Sequence, residues 1–261
     1  MALKYSIGQR IAGRVCAADE SFSRLERAVR RVGTAETWGW FAERIHALEL
    51  SLAELGGFDE QLAQAVESTY GWLGPKEVFE QHEKTEELCA ELEALTAAFF
   101  VTLQPRLNAV KVAAKRVYEV ATSLDELHVA DATGPAWPPT LESAWQIANY
   151  VKHSDEWTSD LDKRQLRCFE ALVSLGVAQI VDGQREFDRW PLISAACALS
   201  GETWLQPAVG AIVQQCVTAC RDVVQSIQAD FAQIANDVEA VRIRNIPTLR
   251  VRTTDDRADE R

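Results

Sequence analysis

Of 261 residues, 47% are hydrophobic and 25% charged, a balance that lets a chain bury a core and excludes a wholly disordered one. The 27 Lys and Arg against 39 Asp and Glu leave a formal net charge of −12, so the molecule as a whole repels nucleic acid and anionic membrane. Any RNA contact must therefore be local.

The N-terminus, "MALKYSIGQRIAGRVC", meets Lys4, Arg10 and Arg14 before any secretory apolar run can form. Nothing later approaches the roughly 18 apolar residues of a membrane span. A cytoplasmic protein with no membrane partner is expected. The six cysteines show no C-x-x-C pair and no histidine at ligand spacing, which disfavours a zinc site or a disulfide scaffold. Cys216 and Cys220 continue an apolar stripe of Val209, Ile212, Val213, Val223, Ile227, Phe231 and Ile234, and read as core.

In chain order, helical periodicity predicts helices at about 19–32, 35–55 and 59–72, broken at Gly33 and Gly56-Gly57 and stopped by "GWLGP" at 71–75. Two long helices follow near 76–127. Leu88, Leu92, Leu95, Phe99 and Leu103 mark the first, and Leu107, Val110, Ala114, Val117, Ala121 and Leu124 mark the second. Pro105 between them either opens a new helix or sits in one continuous rod. The segment 77–93 carries seven glutamates against Lys84, which suits a solvated face or a surface for a basic partner.

"DATGPAWPP" at 131–139, with one glycine and three prolines, is the strongest internal boundary. It divides an N-terminal helical half, 1–131, from a C-terminal half, 132–241, with a tail at 242–261. Thr140 is the expected N-cap of the next helix. Helices at about 163–176 and 207–241 complete an all-α bundle of about eight helices. The best alternating pattern is "RNIPTLRVRT" at 244–253, so a terminal hairpin or extended tail is the most β structure expected. The eight tryptophans suit cores and interfaces, with Trp38 and Trp40 candidates for an oligomer surface.

Phosphate-loop, dinucleotide, nucleophile-elbow and H-E-x-x-H motifs are all missing from the sequence. Glu43 and His46 form one E-x-x-H pair, half of what a di-iron bundle needs. Neither a metal nor a cofactor is expected.

The stretch that stands out is "ANYVKHSDEW", 148–157. At about 100° per residue, Ile147, Tyr150, Val151, Ser154, Trp157 and Leu161 fall on a core side, while Trp145, Asn149, Lys152, His153 and Glu156 fall on the other. Asn149 and His153 stack one turn apart. An imidazole that exchanges a proton near neutrality, an amide and a lysine could together assist attack of an RNA 2′-hydroxyl on its phosphate without metal. The same residues could instead be a polar contact with a neighbouring helix.

"A-N-Y-V-K-H" resembles the motif of HEPN domains, all-helical proteins of which many are metal-independent ribonucleases of bacterial toxin and antiphage systems. Their motif has Arg, often followed by Asn, then His after four to six residues. The resemblance implies catalytic roles for Asn149 and His153, substrate contacts from Lys152, Trp145 and Glu156, RNA as the partner and a homodimer whose two copies share a cleft. Ala148 stands where the arginine belongs, and no arginine lies at that distance before any of the four histidines. Lys152 is positive, but it is about 40° further round and has no guanidinium fork. A degenerate, RNA-directed or defence-associated protein is therefore expected. The other reading is a non-enzymatic helical scaffold acting through a homodimer or through its acidic face.

Overall fold

The computed structural model describes residues 20–68, 75–122, 137–157 and 161–244. From residue 20, where the described residues begin, the chain is helical to 32, a stretch called α1. Helix α2 spans Ala35–Ser68, α3 Pro75–Thr122, α4 Pro139–His153, α5 Lys163–Ser174, α6 Pro191–Ser200 and α7 Leu205–Arg244. A 3₁₀ turn, Ser154–Glu156, extends α4, and strands β1 (Ala178–Val181) and β2 (Gln184–Phe187) form one small sheet.

The fold is all-α, but the described residues hold these six helices plus the α1 stretch, not eight. The expected break at Gly56-Gly57 is not a break, since α2 runs through both glycines, and of the two possibilities open at Pro105 the structure has the continuous rod, α3. Proline inside a helix forfeits one backbone hydrogen bond. Pro105 itself is exposed, whereas Leu103 and Leu107 on either side are fully buried, so burial holds the rod together across it. The expected boundary and tail at 131–136 and 245–261 lie outside the described residues, and residues 242–244 belong to α7.

The core joins both expected halves, running from Leu25 and Val32 of α1 through Phe99 and Leu107 of α3 and Ile147 of α4 to Ile212 and Ile227 of α7. Tryptophan and arginine close the turn between α1 and α2. Trp38 Nε1 donates to the Val32 carbonyl at 2.6 Å, and Arg106 of α3 donates to the Arg31 carbonyl while its guanidinium lies 4.9 Å from the Trp38 ring centre. Carbonyls left without intrahelical partners at the end of α1 are thereby satisfied. A Cβ on Gly33 would approach Val217 Cγ2 of α7 to 3.1 Å, so a larger residue here would require Val217 to shift by a few tenths of an ångström. Of the two tryptophans assigned to a surface, Trp38 is buried and Trp40 exposed.

Two helices begin on carboxylates from distant parts of the chain. Glu93 of α3 accepts from the backbone N–H groups of Leu192 (2.8 Å) and Ile193 (3.0 Å), where α6 has no side-chain cap of its own. Glu49 of α2 accepts likewise from Leu205 (2.6 Å) and Gln206 (3.3 Å) at the start of α7. Each places negative charge on the positive end of a helix and satisfies donors that lack partners. Burial pushes the Glu93 carboxyl above its ordinary range despite those two hydrogen bonds. Part of the acidic run is thus structural: Glu93 caps, Glu86 pairs with Arg189 at 2.6 Å and Glu91 reaches Arg44.

β1 and β2 pair antiparallel through Asp182 (φ 52°) and Gly183 (φ 78°), the positive φ values a two-residue hairpin turn requires. Phe187 folds back on Tyr150, Trp157 and Phe169, with ring centres 5.7–6.1 Å apart. This aromatic cluster holds the end of α4 against α5. Among the described residues, no helix is long and apolar enough to cross a membrane.

Candidate functional site

α4 begins with Pro139 at its first position, behind Pro138 as N-cap, so Thr140 lies inside the helix and caps nothing. Its buried stripe is Leu141, Ala144, Ile147 and Ala148, with Gln146 buried beside it. Ser154, placed on the core side by the helical wheel, is exposed. The regular helix ends at His153 (φ −131°, ψ 5°) and tightens into the 3₁₀ turn, which breaks the 100° rule there.

Asn149 and Lys152 converge on Gln104 of α3. Gln104 is 6% exposed, donates to Asn149 Oδ1 at 2.6 Å and to the Trp145 carbonyl at 3.4 Å, and accepts from Lys152 Nζ. Asn149 Nδ2 donates to Gln146 Oε1 at 3.4 Å, Gln146 Nε2 donates to Glu142 Oε1 at 2.6 Å, and the Cys168 thiol of α5 donates to Gln146 Oε1 at 3.2 Å. A chain of amides therefore stitches α4 to α3 and α5. Burial, followed by the Asp162 charge, pushes the Cys168 thiol up to about 11, so it remains protonated and serves as a donor.

His153 stands apart from that chain. Its side chain is 52% exposed, and Nδ1 lies 3.2 Å from Glu156 Oε2. Trp145 is half-buried, and Lys111 Nζ of α3 sits 5.2 Å from its ring centre and 5.4 Å from that of Trp137. A cation between two indoles is held by their π faces.

These residues border a cleft of about 430 Å³ between α3, α4 and α5, lined by Trp145, Asn149, His153 and Glu156, and by Lys111, Arg164 and Arg167. Lys152, grouped with them by sequence, is not part of its lining. The acids at the rim are engaged within the protein. Glu142 is bonded to Gln146 and Glu156 to His153. Asp162 closes a capping box with Gln165, and the hydrogen bonds from the backbone of Gln165 and Arg164 hold its carboxyl below the ordinary range. Arg164, Arg167 and Lys111 are exposed on the same rim, and the Arg164 charge also helps to lower the Asp162 carboxyl.

Ala148, where the motif arginine belongs, is 0% exposed and packed in the core. That position faces away from the cleft. The other sequence candidates separate as well: Glu43 and His46 are exposed, and no cluster of three or more metal-binding side chains exists among the described residues.

Sequence reasoning missed Gln104, Gln146, Lys111, Arg164 and Arg167. A signal existed for some of them. Gln104 interrupts the apolar seam between Leu103 and Leu107, and Arg164 and Arg167 are three apart just after the Asp162-x-x-Gln165 cap. No protein-family model, curated protein or solved structure matches this chain.

Proposed function

We propose that the protein is a degenerate, HEPN-like RNA-directed protein, which holds a phosphate-bearing RNA segment in the α3/α4/α5 cleft without efficient cleavage. One observation carries the reading: on a strongly acidic chain, Arg164, Arg167 and Lys111 border the same cleft as the half-exposed imidazole of His153 and the indole of Trp145. Guanidinium groups bind phosphate in bidentate fashion, and an indole face accepts a base irrespective of its identity. His153 places an imidazole, the side chain suited to general acid–base work, at the rim.

The same geometry argues for weak or lost catalysis. Asn149 is occupied by Gln104 and Gln146, and the side chain at 148 points into the core, so no guanidinium from that position reaches a scissile phosphate. Stabilising charge as it builds on phosphate is the main task in such a reaction. A single-stranded RNA incubated with the protein and a chelator tests both halves of the reading. Retention with little cleavage, the residue of cleavage disappearing in His153→Ala, is the expected result. Rapid metal-free cleavage that survives His153→Ala would refute the assignment of His153, and absence of any RNA retention would refute the function.

A further inference from the structure

A second charged feature on α3, apart from the cleft, is a groove of about 460 Å³ between α1 and α3. Arg24, Arg27 and Arg31 of α1 and Arg116 of α3 form its rim, and its floor includes Ala109 and Val112, the latter 44% exposed. Four guanidiniums around an apolar floor are unexpected on a chain of net charge −12. Arg24 is partly offset by Glu20 at 2.5 Å, and Arg27 Nε donates to the Ser23 carbonyl at 3.1 Å, which leaves the rim cationic and held in place.

The face of α3 that carries this groove continues toward its N-terminus. At about 100° per residue, Val112, Ala109 and Pro105 align with Ala98 and Ala94, then with Glu91, Glu87 and Glu83. All eight are exposed. One helix face thus begins acidic, with Lys84 beside it and Arg44 of α2 paired to Glu91, passes through small residues and ends at the arginine-rimmed groove. Such a face is complementary to itself when reversed.

We propose that the groove receives the acidic half of α3 from a second copy of this chain, forming an antiparallel, twofold dimer centred near Ala98. In a twofold interface each contact occurs twice, so Glu83 and Glu87 of each copy meet the arginine rim of the other, while Glu91 stays paired with Arg44 of its own chain. The spacings agree. The glutamates recur every four residues, about 6 Å, and the α1 arginines every three or four, about 4.5–6 Å. Ala94 and Ala98 at the centre let the two helices approach, and Val112 loses its exposure. Charge complementarity selects a second copy over RNA here because the groove is lined by no aromatic ring on which a base could stack.

Light scattering on the purified chain should give twice the 29.0 kDa mass of one copy, with the dimer weakening about tenfold or more between 0.1 and 1 M salt. Glu83→Arg/Glu87→Arg makes both halves of the face positive, and Arg27→Glu/Arg31→Glu makes both negative. Each double variant alone should be monomeric, while an equimolar mixture should restore the dimer mass, and so should one chain carrying all four changes. A monomeric wild-type chain at low salt overturns the proposal, and so does a dimer that persists in both double variants. RNA retention is read at the other cleft, so loss of dimer with intact RNA binding separates failure here from failure of the proposed function.

Discussion

Ala148→Arg is the substitution that would complete the HEPN-like motif on paper, and the structure predicts that it damages the fold instead. Ala148 is 0% exposed and packs with Ala144 and Ile147 in the core. A guanidinium there adds a long side chain where no space exists, at about 1–3 kcal/mol for overpacking, and strands a charge whose burial costs several kcal/mol more. A combined loss of about 4 kcal/mol is a large share of the roughly 5–15 kcal/mol that holds a domain together. At about 2–4 °C per kcal/mol for a chain near this size, the melting temperature should fall by roughly 8–16 °C. Ala148→Leu serves as control, because it overpacks without charge and should lose only about 1–3 kcal/mol. Differential scanning calorimetry of the three proteins makes the comparison. An arginine variant melting within about 2 °C of the wild type would refute the placement of α4, since surface changes usually cost under about 0.5 kcal/mol.

Gln104→Leu should destabilise by about 1–3 kcal/mol, because Asn149 Oδ1 and Lys152 Nζ both lose their partner, and denaturant titration alongside an Asn149→Ala/Gln104→Leu double variant should show the two costs to be non-additive. The Glu93 carboxyl is raised by burial, so the folded state binds its proton more tightly than the unfolded chain; its contribution is fully present below the ordinary carboxyl value and is lost as pH rises through the raised one. Glu93→Gln should flatten that slope in denaturation measured across mildly acidic pH, and an unchanged slope would contradict the burial of this group. Burial pushes Cys216 and Cys220 up to about 12, so iodoacetamide at pH 8 should leave both unmodified until the protein is unfolded, whereas rapid labelling of either in the native state would contradict the packing of α7.

Much of the bundle was legible because apolar periodicity and burial are the same fact seen twice. Leu107, Val110, Ala114 and Val117 are 0–2% exposed, and Val209, Ile212, Cys216, Cys220 and Ile227 lie in the core, as their spacing requires. The side chains of Phe231 and Ile234 in the same stripe lie outside the described residues. The helix read at 163–176 is α5, whose Asp162 and Gln165 close a cap within four residues of chain. Features that depend on distant partners were not legible. α6, with Pro191 in front and a left-handed Gly201 behind, has local stop signals, but the carboxylate that caps it comes from Glu93. The hairpin was missed although Asp182-Gly183 is a strong turn signal, because both strands are four residues long and mostly exposed and therefore carry little alternation.

The candidate site divides along the same line. That Asn149 and His153 share a region was readable from a spacing of four, and the cleft lining contains both. That Asn149 is held by a glutamine 45 positions earlier, while His153 turns outward to Glu156, depends on how α3 crosses α4 and on the 3₁₀ turn after His153. The wheel put Ser154 in the core for the same reason: it assumed that the helix continues.

The central claim is that the cleft between α3, α4 and α5 binds the phosphates of RNA through Arg164 and Arg167. Its most direct test is the salt dependence of binding of a short fluorescent single-stranded RNA, measured by anisotropy for the wild type and for Arg164→Ala/Arg167→Ala. Each phosphate contact to a single strand contributes about 0.7 to the slope of log K against log salt, so two lost contacts should lower that slope by about 1.4 and weaken binding. Both arginines are exposed, so the variant should melt like the wild type. Binding with unchanged affinity and unchanged slope in the double variant would contradict the account.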